Sequence, residues 1–171
     1  MKRTPESKFW FALYTKPRQE FKAALQIESV SVECYLPTFS SVKKWKDRKK
    51  KVTEPLFRGY IFIYADENER LRAVSQKSIV RTIFFNGSPS IIPEWQIENL
   101  KKILSETPDV FVSNKIEIGS KVKITDGPFK DITGIVKEEQ EDKWLAVSVD
   151  LIKCSVMVRL PKESVIKFLE K

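Results

Sequence analysis

Residues Lys43 to Lys51 carry the densest chemistry in the chain. Seven lysines and arginines and one aspartate surround a tryptophan, in the order Lys43-Lys44-Trp45-Lys46-Asp47-Arg48-Lys49-Lys50-Lys51. Cations draw phosphate, and an indole set among them offers a stacking face to an unpaired base, so the pattern points to single-stranded nucleic acid. A merely solvated charge run is the alternative. The stretch is too polar for a core strand, which leaves an exposed β-hairpin or a disordered loop. A second constellation follows in Glu54-Pro55-Leu56-Phe57-Arg58-Gly59-Tyr60-Ile61-Phe62-Ile63-Tyr64. Side chains alternate across a strand, so Tyr60, Phe62 and Tyr64 share one face and Ile61 and Ile63 the other. The isoleucine face suits a core covered by helices. The ring face, with its hydroxyls, suits either a surface that another protein covers or packing beneath a further helix.

Chemistry of other kinds is poorly supplied. There is no histidine, which removes the commonest general base and the commonest metal ligand. Asp66, Glu67 and Glu69 cluster, but at a helix start, where the helix dipole stabilises carboxylates anyway. No nucleophile–base pair and no phosphate-cradling glycine loop is present. The expectation is a non-enzyme with no catalytic residue, cofactor or metal. Cys34 and Cys154 lie far apart inside apolar segments and read as buried thiols of a reducing compartment. No apolar run is long enough to span a bilayer, and the basic start, Met1 to Glu6, leads into no signal-peptide core. A cytoplasmic monomer without a membrane partner is expected.

The charge of +8 is unevenly placed. Residues 1–116 hold 21 basic and 13 acidic side chains, whereas residues 117–171 hold 10 of each. The electrostatic reason to bind nucleic acid therefore lies in the first part.

These groups need elements to position them. Phe9–Thr15 reads as a strand, and Pro17 can open a helix reaching about Val30, with Phe21 and Leu25 as its buried anchors. A short strand spans Glu33 to Pro37. After the basic stretch comes the Tyr60–Tyr64 strand, then a helix capped by Asp66 with Glu69 as capping-box partner, burying Leu71 and Val74. Val80–Phe85 turns at Asn86-Gly87 and pairs back through Ser90–Ile92. A helix after Pro93 aligns Ile97, Leu100 and Leu104. The first part is thus an α/β (α+β) open sheet with helices, residues 1–105. Residues 106–116 read as a linker. Five short strands follow in 117–171, near Lys121–Thr125, Gly134–Glu138, Trp144–Val149, Ser155–Leu160 and Val165–Phe168. They suggest a small closed all-β barrel.

Two motifs carry a resemblance. Gly119-Ser120-Lys121-Val122-Lys123-Ile124-Thr125-Asp126-Gly127-Pro128-Phe129 through Gly134-Ile135-Val136 is similar to a KOW motif. Val122 and Ile124 would face the barrel interior, Gly127 would take a positive backbone angle, and Gly134 would sit where strands approach closely. Trp10-Phe11-Ala12-Leu13-Tyr14-Thr15-Lys16, then Tyr35-Leu36-Pro37, the basic stretch and Glu54–Ile63 resemble the NGN domain of NusG-type transcription elongation factors. Arg58 departs from the pattern, which usually has proline there, and a looser turn is the expected consequence. Trp45–Lys50 and Asn86–Pro93 are most similar to the specialised RfaH- and UpxY-type paralogues.

The resemblance implies a factor that binds the clamp helices of RNA polymerase and promotes processive elongation and antitermination. Carried over by motif, the polymerase-binding residues would be Tyr14, Phe57, Tyr60, Phe62, Phe84 and Ile97. Lys16 and Arg18 would reach the non-template strand, joining Lys43, Lys44, Trp45, Lys46, Arg48, Lys49, Lys50 and Lys51 as the nucleic-acid-binding set. The KOW domain would engage Rho, a ribosomal protein or neither. The alternative reading is a KOW-containing RNA- or ribosome-binding module. Gly127, Gly134 and the β-branched runs Ile135-Val136 and Val147–Val149 predict strands in 117–171, not the helical hairpin open to RfaH's equivalent.

Overall fold

A computed structural model describes residues 7–44, 49–107, 110–114, 117, 119–139 and 142–169. The fold is mixed α+β, and the chain divides into two compact units, residues 1–94 and 95–171.

In the first unit, strand β1 (Phe9–Thr15) leads to helix α1 (Glu20–Ser29) and β2 (Glu33–Tyr35). A ribbon of β3 (Thr38–Lys44) and β4 (Lys49–Pro55) precedes β5 (Tyr60–Ala65) and α2 (Glu67–Val74). The unit ends with β6 (Ile79–Thr82), β7 (Phe84–Phe85), β8 (Ser88–Pro89) and β9 (Ile91–Ile92). The main sheet runs β2-β5-β1-β6, with β9 also on β1. Its register places Ala12 opposite Phe62, Leu13 opposite Ile61 and Tyr14 opposite Tyr60. One face therefore collects Phe11, Leu13, Ile61 and Ile63, which form a buried core with Ala23 and Ile27 of α1 and Ala73 of α2. The isoleucine face is covered by helices, as its alternation predicts.

Local signals set the ends of elements. The Asp66 carboxylate accepts from the Glu69 N–H at 2.8 Å, and the Glu69 carboxylate accepts from the Asp66 N–H at 3.0 Å, a complete capping box. Asn86 and Gly87 take φ of 49° and 75°, the left-handed pair that a two-residue hairpin needs. That hairpin is short, pairing β7 with β8 and continuing through the Ser90 N–H, which donates to the Ile83 carbonyl at 3.0 Å. Ile91–Ile92 does not pair back on it but lies against Trp10 and Phe11 of β1.

Helix faces differ from the expectation. In α1 the buried positions are Glu20, Ala23 and Ile27, and Phe21 and Leu25 are exposed. The spacing is helical in both cases, but the sheet receives the side of the helix with small Ala23, which permits close approach. In α2 Arg70 and Ala73 are buried and Leu71 is exposed. The Arg70 guanidinium donates to Glu67 through Nε and Nη2 and to Thr82 Oγ1 at 2.9 Å, so the buried charge is paired.

The second unit holds α3 (Glu94–Glu106, from Trp95 onward) and β10 (Phe111–Ser113). Strands β11 (Ser120–Asp126), β12 (Thr133–Glu139), β13 (Asp142–Val149), β14 (Cys154–Arg159) and β15 (Val165–Phe168) follow, with a 3-10 turn at Asp150–Ile152. They form one antiparallel sheet in the order β10-β14-β13-β12-β11-β15. Val122 and Ile124 are fully buried, Gly127 has φ +99°, and a Cβ on Gly134 would lie 2.6 Å from the Ala146 carbonyl oxygen. Among the described residues no backbone pairing joins β10 to β15, so the sheet is not closed by hydrogen bonds. Two further corrections concern boundaries. Phe111–Ser113, expected within a linker, is a strand paired with Ser155–Met157. The helix after Pro93 goes with this unit because Gln96 donates to Asp150 at 2.7 Å and Asn99 to the Thr133 carbonyl at 3.0 Å. Its buried stripe is Ile97, Leu100 and Ile103.

Candidate partner-binding site

The ring face of the main sheet is unevenly buried. Trp10, Tyr14, Tyr35, Tyr60, Phe62 and Tyr64 share it through the register of β1, β2 and β5. Phe62 is 0% exposed, with Phe57 edge-on at 6.0 Å and Tyr35 stacked at 6.4 Å. Phe57 is 2% exposed. The expectation that Phe57 and Phe62 belong to an open surface is therefore corrected: neighbouring rings bury both. Tyr14, 37% exposed, meets half-buried Tyr60 edge-on at 5.5 Å, and these two form the more open end of the face.

The remaining candidates are not brought to this face. Phe84 is exposed, but Arg70 is stacked over its ring at 5.9 Å and over Phe11 at 6.0 Å, which puts it beside the core face. Ile97 is fully buried in the stripe of α3, within the second unit.

A turn holds this end of the face in place. Tyr60 N–H donates to the Phe57 carbonyl at 3.2 Å, closing Phe57-Arg58-Gly59-Tyr60. Gly59 takes φ +82°, and a Cβ there would lie 3.1 Å from Cε2 of Tyr14. Only glycine combines that angle with that closeness. Its N–H donates to Oε1 of buried Glu20 at 2.8 Å, and its carbonyl accepts from the Thr15 N–H at 2.8 Å. Arg58 in place of the usual proline thus leaves the turn closed. Sequence reasoning missed Glu20, since nothing in a helix-starting glutamate signals a partner 39 residues away. A cleft of about 570 Å³ opens beside this turn, lined by Tyr14, Pro17, Arg18, Phe21, Pro55 and Arg58 among others.

The described ends of the basic stretch pair as two antiparallel strands, the β alternative of the two. Lys43 pairs with Lys50, Lys44 with Lys49, and Val42 with Lys51. Lys49, Lys50 and Lys51 are exposed. Trp45, Lys46 and Arg48 lie outside the described residues. Lys16 and Arg18 are exposed just after β1. Both thiols favour the protonated form: burial and the nearby Glu28 carboxylate push half-buried Cys34 up to about 12, and burial raises Cys154. Among the described residues no group of three or more potential ligands could hold a metal, and no helix is long and apolar enough to cross a membrane.

An aromatic face beside a turn held by a buried carboxylate, and a cation-bearing ribbon, are what the first unit offers to a partner. Comparison with known proteins narrows the class. The family described as "Transcription termination factor nusG" matches residues 8–101. The chain belongs to this family. Transcription termination/antitermination proteins NusG are among its relatives. That of Campylobacter jejuni is 30% identical over 141 residues, 75% of this chain and 79% of that protein. That of Haemophilus influenzae is 26% identical over 172 residues, 92% of each. A solved structure described as "Domain interaction in Thermotoga maritima NusG" has a TM-score of 0.50 at 21% identity, covering 90% of this chain and 93% of that one. It shares the fold.

Proposed function

We propose that this chain is a transcription elongation factor that binds RNA polymerase through the Tyr14–Tyr60 pair and favours processive elongation and antitermination. The observation that carries this reading is the edge-on pair of exposed Tyr14 and half-buried Tyr60 on the ring face of the sheet, within the segment matched by the NusG family. Aromatic side chains in well-packed positions dominate protein–protein affinity. Phe62, two residues along β5 from Tyr60, is buried on the same face with Phe57 against it. The polymerase's clamp helices are the surface proposed to meet them.

The β3–β4 ribbon is proposed to touch nucleic acid in the same complex, with Lys49–Lys51 neutralising phosphates. Concentration of the chain's net charge on this ribbon favours a specialised, operon-restricted paralogue over a general factor. Bridging polymerase and nucleic acid would hold the elongation complex closed and disfavour pausing. The test is a single-round transcription assay on a template with a terminator. Added chain should raise read-through and shorten pauses, and the Tyr14→Ala/Tyr60→Ala variant should not. Unchanged read-through with saturating parent chain would remove the proposal.

A further inference from the structure

The cleft beside Tyr14 has a composition of its own. Its apolar floor is Tyr14, Pro17, Phe21 and Pro55, and Phe21 stands 47% exposed there, an unusual cost for a phenylalanine on a helix that buries its other side. Two turns bring one arginine each to this floor. The Lys16–Gln19 turn, closed at 3.1 Å, carries Arg18, and the Phe57–Tyr60 turn carries Arg58. Arg18 holds φ +60°, a position where glycine or asparagine is usual, so the chain keeps a strained backbone with an arginine on it. Among the described residues neither guanidinium has an ion-pair partner or a hydrogen bond. Thr15 belongs to the same lining, and its hydroxyl is buried without a hydrogen-bond partner.

We infer that this cleft seats an acidic, apolar-faced segment of the protein partner, with Arg18 and Arg58 gripping its carboxylates and Phe21 and Tyr14 its apolar side. Arginine's planar fork suits carboxylates, and desolvation against an aromatic floor strengthens the pairing. A nucleic-acid strand fits the lining less well. Glu54 and buried Glu20 line the cleft, and two carboxylates in its wall disfavour a polyanion laid through it. Isolated carboxylates on a protein segment can be placed to avoid them. Arg18, grouped by sequence with the nucleic-acid contacts, is thereby assigned to the protein partner. This inference rests on the polymerase reading and specifies the chemistry of the surface that the cleft meets.

The experiment measures affinity of the full chain for core RNA polymerase, and separately for labelled single-stranded DNA and RNA, across a salt series. The variants are Arg18→Asn, which suits the left-handed angle, Arg58→Gln, the double variant, and Phe21→Ala. All three positions of change are exposed, and thermal melts check the fold. The inference expects the double variant to lose about tenfold or more in polymerase affinity and to show a flatter salt dependence, with Phe21→Ala weaker too. Oligonucleotide affinity should stay at the parent's value. A double variant that binds polymerase like the parent overturns the cleft assignment and leaves the polymerase reading standing. Loss confined to oligonucleotide binding assigns the cleft to nucleic acid and also overturns it. A parent chain that does not bind polymerase removes both.

Discussion

Glu20 is the residue on which the geometry of the exposed tyrosines depends, and replacing it with alanine separates that role from ordinary helix packing. Its buried carboxylate accepts the Gly59 N–H at 2.8 Å, and the same glycine receives the Thr15 N–H at 2.8 Å while lying against the Tyr14 ring. A hydrogen bond to a charged group contributes about 1.5–3 kcal/mol, and its loss leaves a buried N–H without a partner. Taking about 2 kcal/mol, the unfolding equilibrium shifts roughly 30-fold. Loss of an acidic group from the first turn of α1 adds about 0.3–1 kcal/mol. Glu20→Gln retains an acceptor oxygen and should cost less than half as much. The assay is urea unfolding followed by far-UV circular dichroism and tryptophan fluorescence, with polymerase binding measured on the folded fraction. Glu20→Ala within about 0.5 kcal/mol of the parent, the range of an ordinary surface change, would refute the reasoning.

Other expectations follow from single contacts. Gly134→Ala would drive its Cβ against the Ala146 carbonyl and should destabilise the second unit by about 1–3 kcal/mol in the same assay. Changing Lys49, Lys50 and Lys51 together to glutamine should lower the slope of log affinity against log salt by roughly 2 to 3 for nucleic acid, since three fewer counterions are released. An unchanged slope would make the ribbon a solvated one. Cys34, raised to about 12, holds almost no thiolate at pH 8, and Cys154, raised by burial, holds less than an ordinary thiol. Alkylation by iodoacetamide should therefore be slow in the folded chain and fast in urea. Rapid labelling of Cys34 in the folded state would contradict its burial.

Features written over a few neighbouring residues were legible in the sequence. The Asp66–Glu69 capping box, the Asn86-Gly87 turn, the two faces of Tyr60–Tyr64 and the inward Val122 and Ile124 all depend on local geometry, and the structure has each. Features decided by distant partners were not. Phe21 and Leu25 have the right spacing for a buried stripe, but the sheet takes the Ala23–Ile27 side, a choice made by packing. Phe62 is buried although its motif position places it among the contact residues: alternation gives a face but not what covers it, and Tyr35 and Phe57 pack against its ring. The candidate site was legible in its tyrosines alone. Glu20 and the cleft arise where a helix start, a ribbon end and a turn converge, and no spacing in the sequence announces that meeting.

The central claim is that the Tyr14–Tyr60 pair is a polymerase contact. Phe62→Ala is unsuited to test it, because removing so buried a ring costs about 3–5 kcal/mol of folding. The direct measurement is equilibrium binding of the folded full chain and of its Tyr14→Ala/Tyr60→Ala variant to core RNA polymerase. The account predicts binding by the parent and a loss by the variant of about 30-fold or more, the consequence of truncating a central aromatic contact. A folded variant that binds as tightly as the parent would contradict it.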